Sequence, residues 1–376
     1  MIEEPRQSSR FAQKLFNVLL PETKRAVAIV DEWAVLGTLA GPVRSENQDR
    51  MVAGQFTATD SRTFRLVALS DGMGGLSHGQ EAASLTLSSF LWCLTSTNGD
   101  MTTRIERAAR YANRSVYEEF RGKSGATLSA VVVTDQGFPS AVNIGDSRIY
   151  GYSQRSRSLR QLSVDDTLAG LAEMGASVDA RHNAGALLQY IGMGDELDPN
   201  VLSPQVLFGQ DYILLSTDGV HWIGNKLLEL IVQNAADHVQ LARRLLQLAE
   251  MAGAHDNATL GILAPEALPL PALNGERHTL DVELWTPGGK TILIVDQGYG
   301  PGRSNITSDG QPTPRVAEPT PGQPRTAGAI KKPRKPKRKR PKPAASPKEQ
   351  ADLPMERPAL VIEFGTPKRE EDETSN

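Results

Sequence analysis

Val67–Gly75 reads VALSDGMGG. The apolar run Leu66–Leu69 empties into Ser70, Asp71 and Gly72, and a buried strand stopped by an acid and a glycine delivers one carboxylate to a sheet edge. Glycines at 72, 74 and 75 let the backbone pass close to whatever that carboxylate holds. A hard cation such as Mg²⁺ or Mn²⁺ would accept the Asp71 oxygens together with the Gly72 carbonyl. Taken alone, the stretch is equally well a strand ending in a tight Asp-Gly turn.

The same grammar recurs. Tyr212–Gly219 reads YILLSTDG, Asn143–Arg148 reads NIGDSR, His255–Leu260 reads HDNATL, and Arg44–Asp49 reads RSENQD. Asp49, Asp71, Asp146, Asp218 and Asp256 thus fall at strand ends, dispersed along the chain, with no His or Cys cluster at metal spacing. An all-oxygen site for two divalent ions accounts for them economically. Singly, Asp49 reads as a helix cap or turn acid and Asp146 as a turn residue. Five unpaired acids converging at strand ends would repel one another, which argues for a shared cation.

Arg44/Asn47/Gln48/Asp49, Asp71-Gly72-Met73-Gly74-Gly75, Gly125-Ala126-Thr127, Gly145-Asp146-Ser147-Arg148, Ser216-Thr217-Asp218-Gly219 and Asp256-Asn257 follow a familiar order and spacing. Over roughly residues 30–265 the chain resembles the metal-dependent Ser/Thr protein phosphatases, the protein phosphatase 2C-like or PPM family. Met73 in the glycine segment is similar to the bacterial-type members. The resemblance implies an α+β fold, a four-layer α/β/β/α sandwich of two antiparallel sheets flanked by helices. It implies Mg²⁺- or Mn²⁺-dependent hydrolysis of phosphoserine and phosphothreonine on proteins by a metal-bridging hydroxide, reversing a cognate Ser/Thr kinase. Carried over position by position, Asp71 bridges two ions, Asp218 and Asp256 complete one, and Asp49 with the Gly72 carbonyl completes the other. Asp146 matches the acid that helps hold a looser third ion. Arg44 would clamp the phosphate oxygens, a task suited to its planar fork of donors.

Three departures stand out. Gln48 takes the place of a frequent Glu, Met73 has no proton to donate, and Asp165-Asp166-Thr167 stands where the family usually has Asp-His-Ser or Asp-His-Thr. The last adds charge near the stretch 176–204, which the resemblance identifies as a flap beside the active site.

Composition separates two regions. The 376 residues carry a formal net charge of −3. Residues 1–300 hold 25 Lys+Arg against 34 Asp+Glu, while the remainder hold 16 against 10. An acidic body and a basic tail imply separate jobs. The single cysteine, Cys93, sits in a helical apolar pattern and excludes a disulfide framework. No apolar run approaches the ~18 residues that span a bilayer, and the reading is a monomeric, cytoplasmic chain.

Residues 1–25 form an N-terminal segment in which Phe11, Leu15, Val18 and Leu19 share one helical face; it packs on the domain or meets a membrane or partner. The phosphatase domain is expected over 26–265. Within it, the helix Thr102–Phe120 places Arg104, Arg107, Arg110 and Arg114 outside its apolar face, readable as a solvated row or as a phosphate-binding surface. Residues 276–298 read as an isolated β-hairpin. Residues 299–376 are expected to be mostly disordered and contain the basic run Lys331–Lys342. That run would attract nucleic acid, anionic lipid or an acidic protein, without aromatic residues to give sequence readout. VELWTP (282–287) and IEFGTP (362–367) share one pattern, readable as a repeat or as chance. The competing functional reading is a catalytically weak or dead phospho-sensing scaffold of the same fold, whose basic tail binds an anionic partner.

Overall fold

The computed structural model describes residues 10–57, 63–73, 78–134, 139–173, 185–253, 256–265 and 279–296, the side chains of 279–281 and 294–296 excepted. Gly74, Gly75, His255, the Gln136-Gly137 turn, part of the 176–204 stretch, the basic run and the IEFGTP segment lie outside the described residues.

In chain order the elements are α1 (Arg10–Leu19), β1 (Arg25–Val30), β2 (Ala34–Leu39), β3 (Arg50–Thr57), β4 (Thr63–Ser70), α2 (Gly79–Ser96) and α3 (Met101–Phe120). Then come β5 (Leu128–Thr134), β6 (Pro139–Ile144), β7 (Arg148–Ser153), β8 (Ser158–Gln161), α4 (Leu168–Glu173), β9 (Asn200–Leu202) and α5 (Pro204–Leu207). The remainder are β10 (Tyr212–Ser216), α6 (Asp218–His221), α7 (Asn225–Gln233), α8 (His238–Met251), β11 (Ala258–Leu263), β12 (Thr279–Thr286) and β13 (Gly289–Asp296). One sheet runs β1-β2-β11-β10-β7-β8 and the other β13-β12-β3-β4-β5-β6-β9. The strand pairings are antiparallel.

The period of two along each strand sorts side chains between layers. On β4, Leu66 and Ala68 face α1, α2 and α3, while Val67 and Leu69 face the other sheet. β5 divides likewise, Ala130 and Val132 outward and Val131 and Val133 inward. In the first sheet, Ile213 and Leu215 point between the sheets, whereas Leu214, Leu260 and Ile262 meet α7 and α8. The expected α/β/β/α sandwich is therefore the observed fold. Strands buried on both faces explain why their sequences read as apolar runs rather than as alternations.

α2 is the most enclosed helix, with 14 of its 18 residues buried, because α1, α3 and the second sheet surround it. α3 is capped by Asp100, whose side chain accepts from Thr103 N at 3.0 Å, and α8 by Asp237, which accepts from Gln240 N at 2.7 Å.

Two expectations change. Arg104 does not join a solvated row: it is fully buried, donates from Nη2 to Leu94 O at 2.6 Å and lies over the Phe64 ring. A long apolar stem lets a guanidinium be buried where carbonyls accept from it. The hairpin is not isolated either, since β12 pairs with β3 through Val282↔Phe56 and Trp285↔Ala53. Trp285 packs edge-on against Trp33 with ring centroids 6.0 Å apart. α1 packs on the domain, as one of its two readings had it: Phe11, Leu15 and Leu19 are buried in the helical layer.

Candidate metal and phosphate site

Register brings the acids together. Arg50 pairs with Ser70, Leu128 with Ile144, Ser216 with both Arg148 and Leu260, and Leu39 with Ala258. The loops that precede β3 and follow β4, and those between β6 and β7, after β10 and before β11, therefore open at one end of the sandwich. These loops carry Asp49, Asp71, Asp146, Asp218 and Asp256 respectively. All five proposed acids and Arg44 gather there.

Hydroxyls fix the loops. Thr127 Oγ1 accepts from Asp71 N at 3.0 Å and shares a hydrogen bond with Ser147 Oγ at 2.8 Å. Thr127 N donates to Asp71 O at 2.9 Å, and Ser70 Oγ to Thr127 O at 2.6 Å. Across the sheets, Thr217 Oγ1 donates to Asp49 Oδ2 at 3.0 Å and accepts from Thr259 N at 2.9 Å. Asp49 N donates to Asn47 Oδ1 at 3.1 Å, and Asn47 Nδ2 reaches Thr38 Oγ1 at 2.9 Å. Asn257 joins two loops, accepting from Gly41 N at 3.2 Å and donating to Glu46 O at 3.2 Å. Gly72 must be glycine: a Cβ there would lie 2.2 Å from Gly79 O and 2.9 Å from Gln48 O. The motif residues were visible in the sequence, but the supporting roles of Thr127, Thr217 and Asn257 were not. Only the pairing of distant strands reveals them.

Electrostatics there is set by crowding. Burial pushes the Asp71 carboxyl well above the ordinary carboxylate range, and the charges of Asp49, Asp218, Asp146 and Asp256 push it the same way. Burial likewise raises Asp49, against the opposing hydrogen bonds of Thr259 and Thr217. Asp218 is raised by burial and then by Asp146 and Asp256, and Asp146 by burial. Behind the cluster, His221 is neutral: burial and the Arg148 charge bring its imidazole down to about 3. Its Nδ1 shares a hydrogen bond with Ser216 Oγ at 3.0 Å.

Oδ1 of Asp49 and Oδ1 of Asp218 are buried with no hydrogen-bond partner. Buried acceptors left unpaired among like charges are what a hard cation satisfies. The donor set therefore fits a divalent ion in chemistry. As the side chains stand, no set of three His, Cys, Asp or Glu among the described residues is placed to enclose an ion. Asp256 accounts for part of this, because its Oδ2 accepts from Arg44 Nη2 at 2.5 Å. That pair raises the Arg44 guanidinium pKa further, chiefly through the hydrogen bond.

The three departures are also placed. Gln48 Nε2 donates to Glu46 Oε1 at 2.7 Å, so the amide is engaged by a neighbouring acid. Met73 N donates to Gly125 O at 3.1 Å. Asp165 grips Arg148 with both oxygens, at 2.7–3.0 Å, and Asp166 accepts from Gly145 N at 2.9 Å.

The Protein phosphatase 2C family model matches residues 43–261, more than half of the chain. The serine/threonine protein phosphatase PstP of Mycobacterium tuberculosis is 28% identical over 230 residues, covering 58% of this chain and 42% of PstP. The chain therefore spans less than half the length of that relative. Among solved structures, Stp1 of Staphylococcus aureus is 20% identical with a TM-score of 0.52, covering 65% of this chain and 98% of Stp1. A bacterial serine phosphatase, also 20% identical, has a TM-score of 0.53 and covers 63% of this chain and 99% of its own. These two likenesses bear on the fold, which they share. From its strand-end acids, its sandwich and the match over residues 43–261, the chain belongs to the protein phosphatase 2C family, in company with bacterial members.

Proposed function

We propose that this protein is a Mg²⁺- or Mn²⁺-dependent phosphatase that removes phosphate from serine and threonine in proteins, opposing a Ser/Thr kinase in the cytoplasm. One observation supports this above the rest: five acids from distant loops meet at one end of the sandwich and leave two buried carboxylate oxygens unpartnered. Asp71, Asp49, Asp218, Asp256 and the Gly72 carbonyl would hold two ions, with Asp146 serving a third. Bound there, the cations supply charge neutralisation at phosphorus and activation of the attacking water.

The chain's own residues do the rest. Arg44 presents its fork to the phosphate oxygens, and the phosphate dianion competes with Asp256 for that guanidinium. Thr217 holds the Asp49 carboxylate, and Thr127, bonded to Ser147, holds the Asp71 backbone, so little reorganisation is needed when charge develops. In the reaction a bond forms from the water oxygen to phosphorus and the bond to the serine or threonine oxygen breaks. Met73 has no proton to give, so the departing oxygen takes its proton from solvent.

No helix among the described residues is long and apolar enough to cross a membrane. We assign the catalytic domain to 26–265, the hairpin to 276–298 and a tail to 299–376. The basic run 331–342 is proposed to attract nucleic acid, anionic lipid or an acidic protein. A phospho-sensing scaffold has no observation in its favour, since all five acids are present. The test is hydrolysis of p-nitrophenyl phosphate and of phosphothreonine peptides with Mn²⁺, with and without chelator. Full turnover after chelation would overturn the proposal.

A further inference from the structure

Asp166 lies where the resembled family usually has His, and its bonds are concentrated on one neighbour. Its N–H donates to Gly145 O at 2.9 Å and its Oδ2 accepts from Gly145 N at 2.9 Å. Gly145 precedes Asp146, so both hydrogen-bonding groups of that peptide neighbour are held by one residue. At φ +100°, with Thr127 Cγ2 2.7 Å from where a Cβ would stand, Gly145 is held in a conformation other residues rarely adopt.

The other two bonds of Asp166 lead away from the turn. Its carbonyl accepts from Leu188 N at 2.7 Å and its Oδ1 from Gln189 Nε2 at 3.3 Å. Two residues later, Ile191 bridges Ala126 in both directions, at 2.8 and 3.0 Å, and Ala126 bridges Gly72. Residues 187–191 thus form a strap between the turn carrying Asp146 and the loop carrying Asp71 and Gly72. Asp166 anchors one end of it and Ala126 the other. Arg148, gripped by Asp165, fixes the 165–167 segment from beneath.

We infer that Asp166 is a positioning residue: it holds the Asp146 turn and couples it, through the 187–191 strap, to the Asp71–Gly72 loop. Its Oδ2 is spent on the Gly145 amide and its Oδ1 on the strap residue Gln189, so its carboxylate links the two segments that it is inferred to orient. A half-buried carboxylate can take an amide N–H that a neutral histidine nitrogen would have to meet with one fixed tautomer, so Asp is a sufficient substitute at this point.

This rests on the metal-dependent reading of the site, and the experiment separates the two. Asp166→Ala and Asp166→Asn would be prepared in the full chain, with melting curves confirming that each folds. Mn²⁺ calorimetry and amide exchange at Gly145 and at 188–191 would be read without any substrate. Asp166→Ala should weaken the loosest Mn²⁺ about tenfold or more, as for other residues that orient metal ligands, and speed exchange at Gly145 and 188–191. Asp166→Asn keeps an acceptor for Gly145 N and should recover most of the affinity. Unchanged Mn²⁺ affinity and unchanged Gly145 exchange in Asp166→Ala would overturn the inference. An Asp166→Asn variant as weak as Asp166→Ala would do so too. Absence of any Mn²⁺ binding or Mn²⁺-dependent turnover in the wild type would instead overturn the proposed function, and the exchange measurement would still judge Asp166.

Discussion

Replacing Thr217 by Val keeps the shape of a fully buried side chain and deletes one hydroxyl. That hydroxyl joins the sheets, donating to Asp49 Oδ2 at 3.0 Å and accepting from Thr259 N at 2.9 Å. Valine leaves the Thr259 amide unpaired at the head of β11, which costs about 1–3 kcal/mol, and removes a hydrogen bond to a carboxylate, about 1.5–3 kcal/mol. The two share one site and add incompletely, so the variant should lose about 3 kcal/mol. Thr217→Ser retains the hydroxyl and loses one methyl, which should cost about 1 kcal/mol. Urea unfolding of wild type, Thr217→Ser and Thr217→Val in chelator gives the comparison, and Mn²⁺ calorimetry reports whether Asp49 has lost its orientation. A Thr217→Val midpoint equal to that of wild type would refute the reasoning, because it would mean that neither bond is made.

Other perturbations follow from the same geometry. His221 is buried neutral with its pKa near 3, so between that value and the ordinary 6.5 the unfolded chain binds the extra proton. Stability attributable to it is complete above pH ~6.5 and falls below by at most ~1.4 kcal/mol per pH unit. His221→Gln should abolish that slope in urea midpoints from pH 8 to 5, and an unchanged slope would count against the assignment. The acids Asp71, Asp49 and Asp218 are raised instead, so without cation they stabilise at low pH and that contribution is lost as pH rises through their folded values; added Mn²⁺ should reverse the loss. Asp71→Ala and Asp218→Ala should lose Mn²⁺-dependent turnover, Asp146→Ala should be slow yet keep two ions by metal analysis, and Cys93→Ala should stay active. Deleting 326–345 should leave aryl phosphate turnover unchanged while salt-dependent binding to anionic vesicles or nucleic acid falls; a several-fold change in turnover would show the run acting on the catalytic body.

The sandwich was legible through the family resemblance, and that resemblance rests on acids that recur at strand ends in a fixed order. Individual site residues were legible for the same reason: Asp71 and Asp218 each close an apolar run. What the sequence hid was pairing across distance. Nothing near Thr217 announces Thr259 or Asp49, which lie 42 and 168 positions away in the chain. Arg104 deceived because periodicity ranks residues by polarity and takes no account of a carbonyl such as Leu94 O waiting inside. β12 read as isolated because its docking partner, β3, precedes it by more than two hundred residues, and an alternating strand does not name its neighbour.

The hairpin of β12 and β13 redraws what counts as the smallest piece of this chain able to stand alone. The family match ends at residue 261, and a protein trimmed after residue 265, where β11 is complete, would uncover the edge of β3 and strip Val282, Leu284 and Trp285 from the layers they fill. An open, apolar strand edge recruits other chains, and the vacated Trp285 site would leave Trp33 without its aromatic neighbour. A shortened protein would therefore be sticky before it was inactive. Solubility, rather than turnover, is where the need for residues 279–296 would first be felt.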